Sequence, residues 1–143
     1  MRQLLSTWCS VLALLGCFST AHAAPPSATD AKAVRLVIQA QLNAFAADDA
    51  KRAFSYAAPA IRAQFGTPDR FLAMVRTGYP MVYRPASVTF FKPELISGGL
   101  VQAVQFADLD GADWIATYRM QRQRDKSWRI NGCNVAPSAG LST

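Results

Sequence analysis

Apolar residues recur along the chain with two different periods. From about Ala31 to Ala47, Val34, Val37, Ile38, Leu42 and Phe45 return every three or four positions, the spacing of one buried stripe on an amphipathic helix. Thr29 or Asp30 can cap its start. Ala53, Phe54 and Ala57 carry the pattern into a short second helix, with Asp48 and Asp49 at its N-terminus as capping residues. Pro59 suits the first turn of a third helix bearing Ile61 and Phe65, which Gly66 can close in the left-handed conformation. Thr67-Pro68-Asp69 opens a fourth: the threonine oxygen can accept an orphan amide bond, the proline sits where no amide is needed, and the aspartate meets the positive end of the dipole. That helix runs to about Thr77, buries Phe71, Met74 and Val75, and stops at Gly78. The prolines of Tyr79-Pro80-Met81-Val82-Tyr83-Arg84-Pro85 predict an extended joint there.

Beyond the joint the period becomes two. Strands are predicted at about 87–96, 100–107, 113–122 and 127–135, separated by turn residues at Ser97-Gly98-Gly99, Asp108 to Gly111 and Arg124 to Lys126. Connections this short imply antiparallel neighbours. Trp114, Ala116, Tyr118 and Met120 alternate with Ile115, Thr117, Arg119 and Gln121, so one face is apolar and the other largely polar. Matching apolar with apolar sets Met120 opposite Ile130 and Arg122 opposite Trp128 around a three-residue loop. At the preceding turn, a tight Asp110-Gly111 hairpin would put Gln105 on the face of Trp114; pairing Phe106 with Trp114 avoids this and requires a longer loop. Helices first and strands second make an α+β domain, with three to four N-terminal helices packed on one face of a curved four-stranded antiparallel sheet.

The ends follow a different logic. Arg2, the apolar run Trp8 to Phe18 and the small residues Ala21 and Ala23 before Ala24 have the order of a cleavable signal peptide over residues 1–23. Trp8 to Phe18 is too short for a membrane span, which needs roughly 20 residues, so no stable span is expected. Leu14-Leu15-Gly16-Cys17 offers an alternative, acylation of Cys17 and a lipoprotein anchored to the membrane. Residues 24–29 then form a linker, 30–136 a single domain and 137–143 a small-residue tail. The product is expected to be periplasmic or secreted.

Removing the leader changes the available chemistry. The only histidine, His22, leaves with it, as do Cys9 and Cys17, so Cys133 becomes the sole cysteine and no internal disulfide can form. Histidine acid–base catalysis, Ser-His-Asp or Cys-His nucleophiles and zinc sites of His and Cys are then excluded. No Walker loop or dinucleotide glycine fingerprint is present, and no cofactor is expected. Asp108, Asp110 and Asp113 lack the rest of an EF-hand loop and read as turn residues, so no metal site is expected either. The remaining chain has 14 Lys and Arg against 9 Asp and Glu, a charge of +5 scattered without a run, and nucleic acid is not an expected partner.

Two groups of residues are candidate sites. Tyr79, Tyr83, Arg84, Trp114 and Tyr118 can supply aromatic walls and one guanidinium to an anionic or aromatic ligand, or can be core. On the last hairpin, Arg119, Arg122, Arg124, Lys126 and Arg129 make a basic surface in which Arg119 and Arg129 are diagonal neighbours, suited to an anion or a protein partner, or simply to solvent.

The element order looks like that of the cone-shaped nuclear transport factor two-like superfamily. A closer likeness rests on Ala53-Phe54-Ser55-Tyr56-Ala57-Ala58-Pro59, Phe65-Gly66-Thr67-Pro68, Gly78-Tyr79-Pro80, Val82-Tyr83-Arg84-Pro85 and Ser127-Trp128-Arg129-Ile130-Asn131-Gly132-Cys133. Over about residues 30–136 the chain resembles a bacterial family catalogued as domain of unknown function 4864. The resemblance implies a fold and export, and carries no activity or ligand with it. Enzymes of the wider superfamily often place an aspartate, or an Asp and His pair, in the cone, and this chain without its leader has no histidine to offer. Three functions remain open: a non-catalytic module binding a small molecule or an envelope protein, an envelope-associated protein whose basic hairpin meets an anionic surface, and a cone-pocket enzyme without histidine. A homodimer through the sheet is compatible with each.

Overall fold

A computed structural model of the chain describes residues 25–139. The expected leader and its cleavage point at Ala23 and Ala24 lie outside those residues, as does Cys17. The helices are α1 (Ala28–Ala46), α2 (Ala50–Ser55), α3 (Pro59–Phe65), α4 (Pro68–Gly78) and α5 (Pro80–Tyr83). The strands are β1 (Ser87–Phe90), β2 (Glu94–Ile96), β3 (Gly99–Ala107), β4 (Asp113–Arg122) and β5 (Trp128–Pro137). The protein is α+β, its helices followed by an open, five-stranded antiparallel sheet.

Helix α1 starts inside the expected linker, because Ser27 caps it by accepting the Asp30 amide at 3.0 Å. Its stripe is core: Val34, Ile38, Leu42 and Phe45 are buried and Val37 packs against them. Asp49 caps α2 by accepting the Arg52 amide at 3.0 Å, whereas Asp48 turns elsewhere. Thr67 caps α4 as the sequence predicts, with Pro68 in the first turn, and Gly66 closes α3 at φ +76°.

The joint is not extended throughout. Pro80–Tyr83 forms one helical turn, since a proline restricts the residue before it and is itself well placed at a helix start. Tyr79 and Arg84, which precede the two prolines, are the non-helical positions (ψ 59° and 79°).

The sheet runs β1-β3-β4-β5, with β2 also on β3. The expected strand over 87–96 is thus two strands. Three residues, Phe91-Lys92-Pro93, lie between the pairs Phe90–Val104 and Glu94–Val101, where β3 has only two. Pro93 has no amide to give the ladder, and this edge tolerates the bulge. Inside the break, the amide of Gln102 donates to the carbonyls of Phe91 at 2.7 Å and Ala103 at 2.8 Å.

The later registers agree with the apolar matching: Phe106 opposite Trp114, Met120 opposite Ile130 and Arg122 opposite Trp128. Both hairpins close over three residues, with Gly111 and Lys126 left-handed at their last positions. The inward row Leu100, Val104, Phe106, Ala116, Tyr118, Met120, Trp128 and Ile130 meets the helices in a single core. Trp128 also donates its indole N–H to Asp30 at 3.1 Å, fastening α1 to β5.

Candidate functional site

Strand β5 is an edge, and only its first half is covered. Ile130 exchanges hydrogen bonds with the α2–α3 junction, accepting from Ala58 N at 2.8 Å and donating to Tyr56 O at 2.9 Å. Immediately afterwards the strand bulges. Arg119 pairs with Gly132 and Met120 with Ile130, so Asn131 is an extra residue. Past this point the helices stand away from the strand, and a cavity of about 250 Å³ opens between α1, α3, α4 and the β4–β5 pair.

Its walls are mainly apolar, with Phe45, Phe65, Phe71 and Met74 from the helices and Ile130 and Val135 from β5. The aromatic part is ordered: Phe71 has Phe45, Phe54 and Phe65 around it at centroid distances of 5.9, 5.5 and 5.5 Å. The polar contributions are Gln41, Gln64, Tyr118, Arg119 and Asn131. Gln41 is held by donating to Ala53 O at 3.0 Å. Gln64 and Arg119 are the exposed lining residues and mark the opening.

Tyr118 is the anomaly of this cavity. The residue is 1% exposed, and its hydroxyl is buried with no hydrogen-bond partner among the described residues. Cys133 is directly opposite in the register, and the two groups are close enough to influence each other's titration while falling short of good hydrogen-bond geometry. Burial raises the Tyr118 phenol well above its ordinary value and pushes the Cys133 thiol up to about 12, so both are neutral at pH 7. A protonated thiol is a poor nucleophile and a poor metal ligand. Among the described residues, no Asp or Glu lines the cavity.

Of the five aromatic and arginine candidates, Tyr79 and Tyr118 line this cavity and the others do not. Tyr83 donates its hydroxyl to Asp48, and the guanidinium of Arg84 both bonds Asp48 at 3.1 Å and lies 4.8 Å from the Tyr83 ring centre. Arg76 joins them, 3.1 Å from the same carboxylate. Asp48, at φ +53°, is therefore a clasp between the α1–α2 turn and α4–α5, and these partners hold its carboxyl below the usual range. Trp114 donates its indole N–H to Asp108 at 2.9 Å, and that carboxylate also accepts the amides of Asp110 and Ala112 at 2.9 Å.

The hairpin cations likewise divide. Arg122 approaches Asp30 at 3.7 Å and lies over Trp128, while Arg129 donates to the Trp128 carbonyl at 2.9 Å. Arg119 makes no ion pair or hydrogen bond among the described residues. Sequence reasoning missed Gln41, Gln64 and Asn131. Gln41 stands next to Leu42 on the buried stripe, where a polar side chain was the available signal.

The profile of a family described as a domain of unknown function, DUF4864, matches residues 27–143. The chain belongs to DUF4864. No curated protein and no solved structure matches it. The match runs from the α1 cap through the whole sheet, so both walls of the cavity lie within the DUF4864 domain. No described helix is long and apolar enough to cross a membrane.

Proposed function

We propose that this DUF4864 protein is an exported, non-catalytic module that holds one small molecule in the cavity between α4 and β5. Its architecture is read as a nuclear transport factor two-like cone with the cavity inside it. The leader over residues 1–23, cleaved between Ala23 and Ala24, directs it to the periplasm.

The cavity itself carries this reading: Phe45, Phe65, Phe71 and Met74 from the helices face Ile130 and Val135 of β5 across it, with Gln64 and Arg119 exposed at its opening. At about 250 Å³ the space is near the lower end of the roughly 300–1,000 Å³ of drug-sized sites, which favours a small ligand. The neutral Cys133 thiol, and a lining with no carboxylate among the described residues, favour holding over turnover.

The test is native mass spectrometry of the mature protein purified from its own envelope. A small adduct is expected, and Met74→Trp, which fills the space between α4 and β5, should lower its occupancy at least about tenfold. An adduct unaffected by Met74→Trp, or none at all, rejects the cavity as the site. The intact mass also reads the N-terminus: a chain beginning at Ala24 supports cleavage there, and one acylated at Cys17 supports the tethered alternative.

A further inference from the structure

Arg119 lines the cavity at a place where the sheet is irregular. A regular strand would leave its side chain on the outer face of the sheet, opposite to the inward Tyr118. At the β4–β5 bulge it pairs with Gly132, and its guanidinium lies directly over that residue. A Cβ at position 132 would stand 2.8 Å from Nη2 and 3.1 Å from Nε, so the guanidinium would have to shift. Any residue but glycine there would displace the guanidinium. With glycine, the guanidinium lies close over β5, and Arg119 is among the lining residues with Gln64 and Asn131.

The guanidinium is also uncommitted. Arg76, Arg84 and Arg122 have carboxylate partners and Arg129 has a carbonyl, whereas Arg119 has neither among the described residues. The nearest acid by register is Glu94, two strands away beyond Val101, and it forms no ion pair with Arg119. One unpaired fork of donors at the rim of an apolar cavity matches a planar anion attached to an apolar body.

Resting on the proposed binding role, we infer that the ligand is a small apolar monocarboxylate, its carboxylate on Arg119 and its aliphatic or aromatic body among Phe65, Phe71 and Met74. Gly132 is the positioning residue for the arginine.

Matched probes test this on the mature protein by calorimetry, with chemical-shift changes at Tyr118 locating each probe: hexanoate against hexanol, and benzoate against benzyl alcohol. The acids should bind at least about tenfold tighter than their alcohols, the difference carried by a charge-assisted bidentate contact. Arg119→Gln should reduce that preference to within about twofold. Gly132→Ala keeps the positive charge but moves it, and should weaken the acids while leaving the alcohols unchanged. If acids and alcohols bind equally, or Arg119→Gln keeps the preference, the carboxylate assignment is wrong and the binding cavity stands. If none of the four probes perturbs Tyr118, both fall. Comparing hexanoate with benzoate then distinguishes an aliphatic from an aromatic body.

Discussion

Trp128, at the start of β5, donates its indole N–H to Oδ1 of Asp30 in the first turn of α1, at 3.1 Å. This bond joins residues 98 positions apart. The same carboxylate accepts the Ser27 hydroxyl at 2.9 Å and has Arg122 at 3.7 Å. One side chain therefore serves the start of α1, the last strand and a hairpin cation.

The Ser27 and Trp128 hydrogen bonds, with Arg122 adding to them, lower the Asp30 pKa below its ordinary value. An unfolded aspartate titrates near 3.9, so stability from this group is fully present above about pH 5. It is lost as the pH falls through the lower, folded value. Asp30→Asn should be less stable than the wild type at pH 7, and the two should converge as the solution is taken below pH 3. Urea midpoints measured from pH 2 to pH 7 check this. Two parallel curves would show that the charge on Asp30 contributes nothing.

Gln102 supports a second prediction. It is 1% exposed and faces the core from β3 between Leu100 and Val104, yet its amide reaches back to Phe91 O at 2.7 Å. It supplies the donor that Pro93 cannot, where the edge strand breaks. Gln102→Leu keeps the volume roughly constant and leaves the Phe91 carbonyl unpaired, at a cost of about 1–3 kcal/mol. Urea unfolding reads the cost. Amide exchange should rise in β1 and β2 well before β4, and uniform acceleration across the sheet would contradict a local role.

These residues also show what is legible from sequence. The registers Phe106–Trp114 and Met120–Ile130 follow from period-two alternation, because a slip of one residue would turn every apolar side chain outward. The α4 cap at Thr67 is equally local. The Asp48 clasp is not: Arg76, Tyr83 and Arg84 are 28 to 36 residues away, and nothing in their spacing announces a shared carboxylate. That long-range pairing takes Tyr83 and Arg84 to a different place from Tyr79 and Tyr118, which do share the cavity. Arg119 illustrates the same boundary, since alternation places it on the polar face and nothing in the spacing announces that it lies over the bare Gly132 beside the bulge at Asn131.

Cys133 allows a last prediction with two independent readings. Burial pushes its thiol up to about 12, and the neighbouring Tyr118 hydroxyl offsets only part of that shift. At pH 8 about one molecule in ten thousand is then a thiolate, against roughly a quarter in the unfolded chain with its thiol near 8.5. In a chain beginning at Ala24, Cys133 is the only thiol, and its alkylation by iodoacetamide should be about a thousandfold slower in the folded protein than in urea. The same shift has a thermodynamic consequence of fixed sign. A thiol whose folded pKa is raised binds its proton more tightly in the folded state, so its contribution is present below pH 8.5 and declines as the pH rises above it. Between about pH 9 and pH 10 the loss should approach about 1.4 kcal/mol per pH unit. Cys133→Ala should flatten that decline, as read from urea midpoints across the interval. Rapid alkylation of the folded protein, together with an alkaline slope that survives Cys133→Ala, would show a thiol open to solvent and a cavity floor unlike the one described.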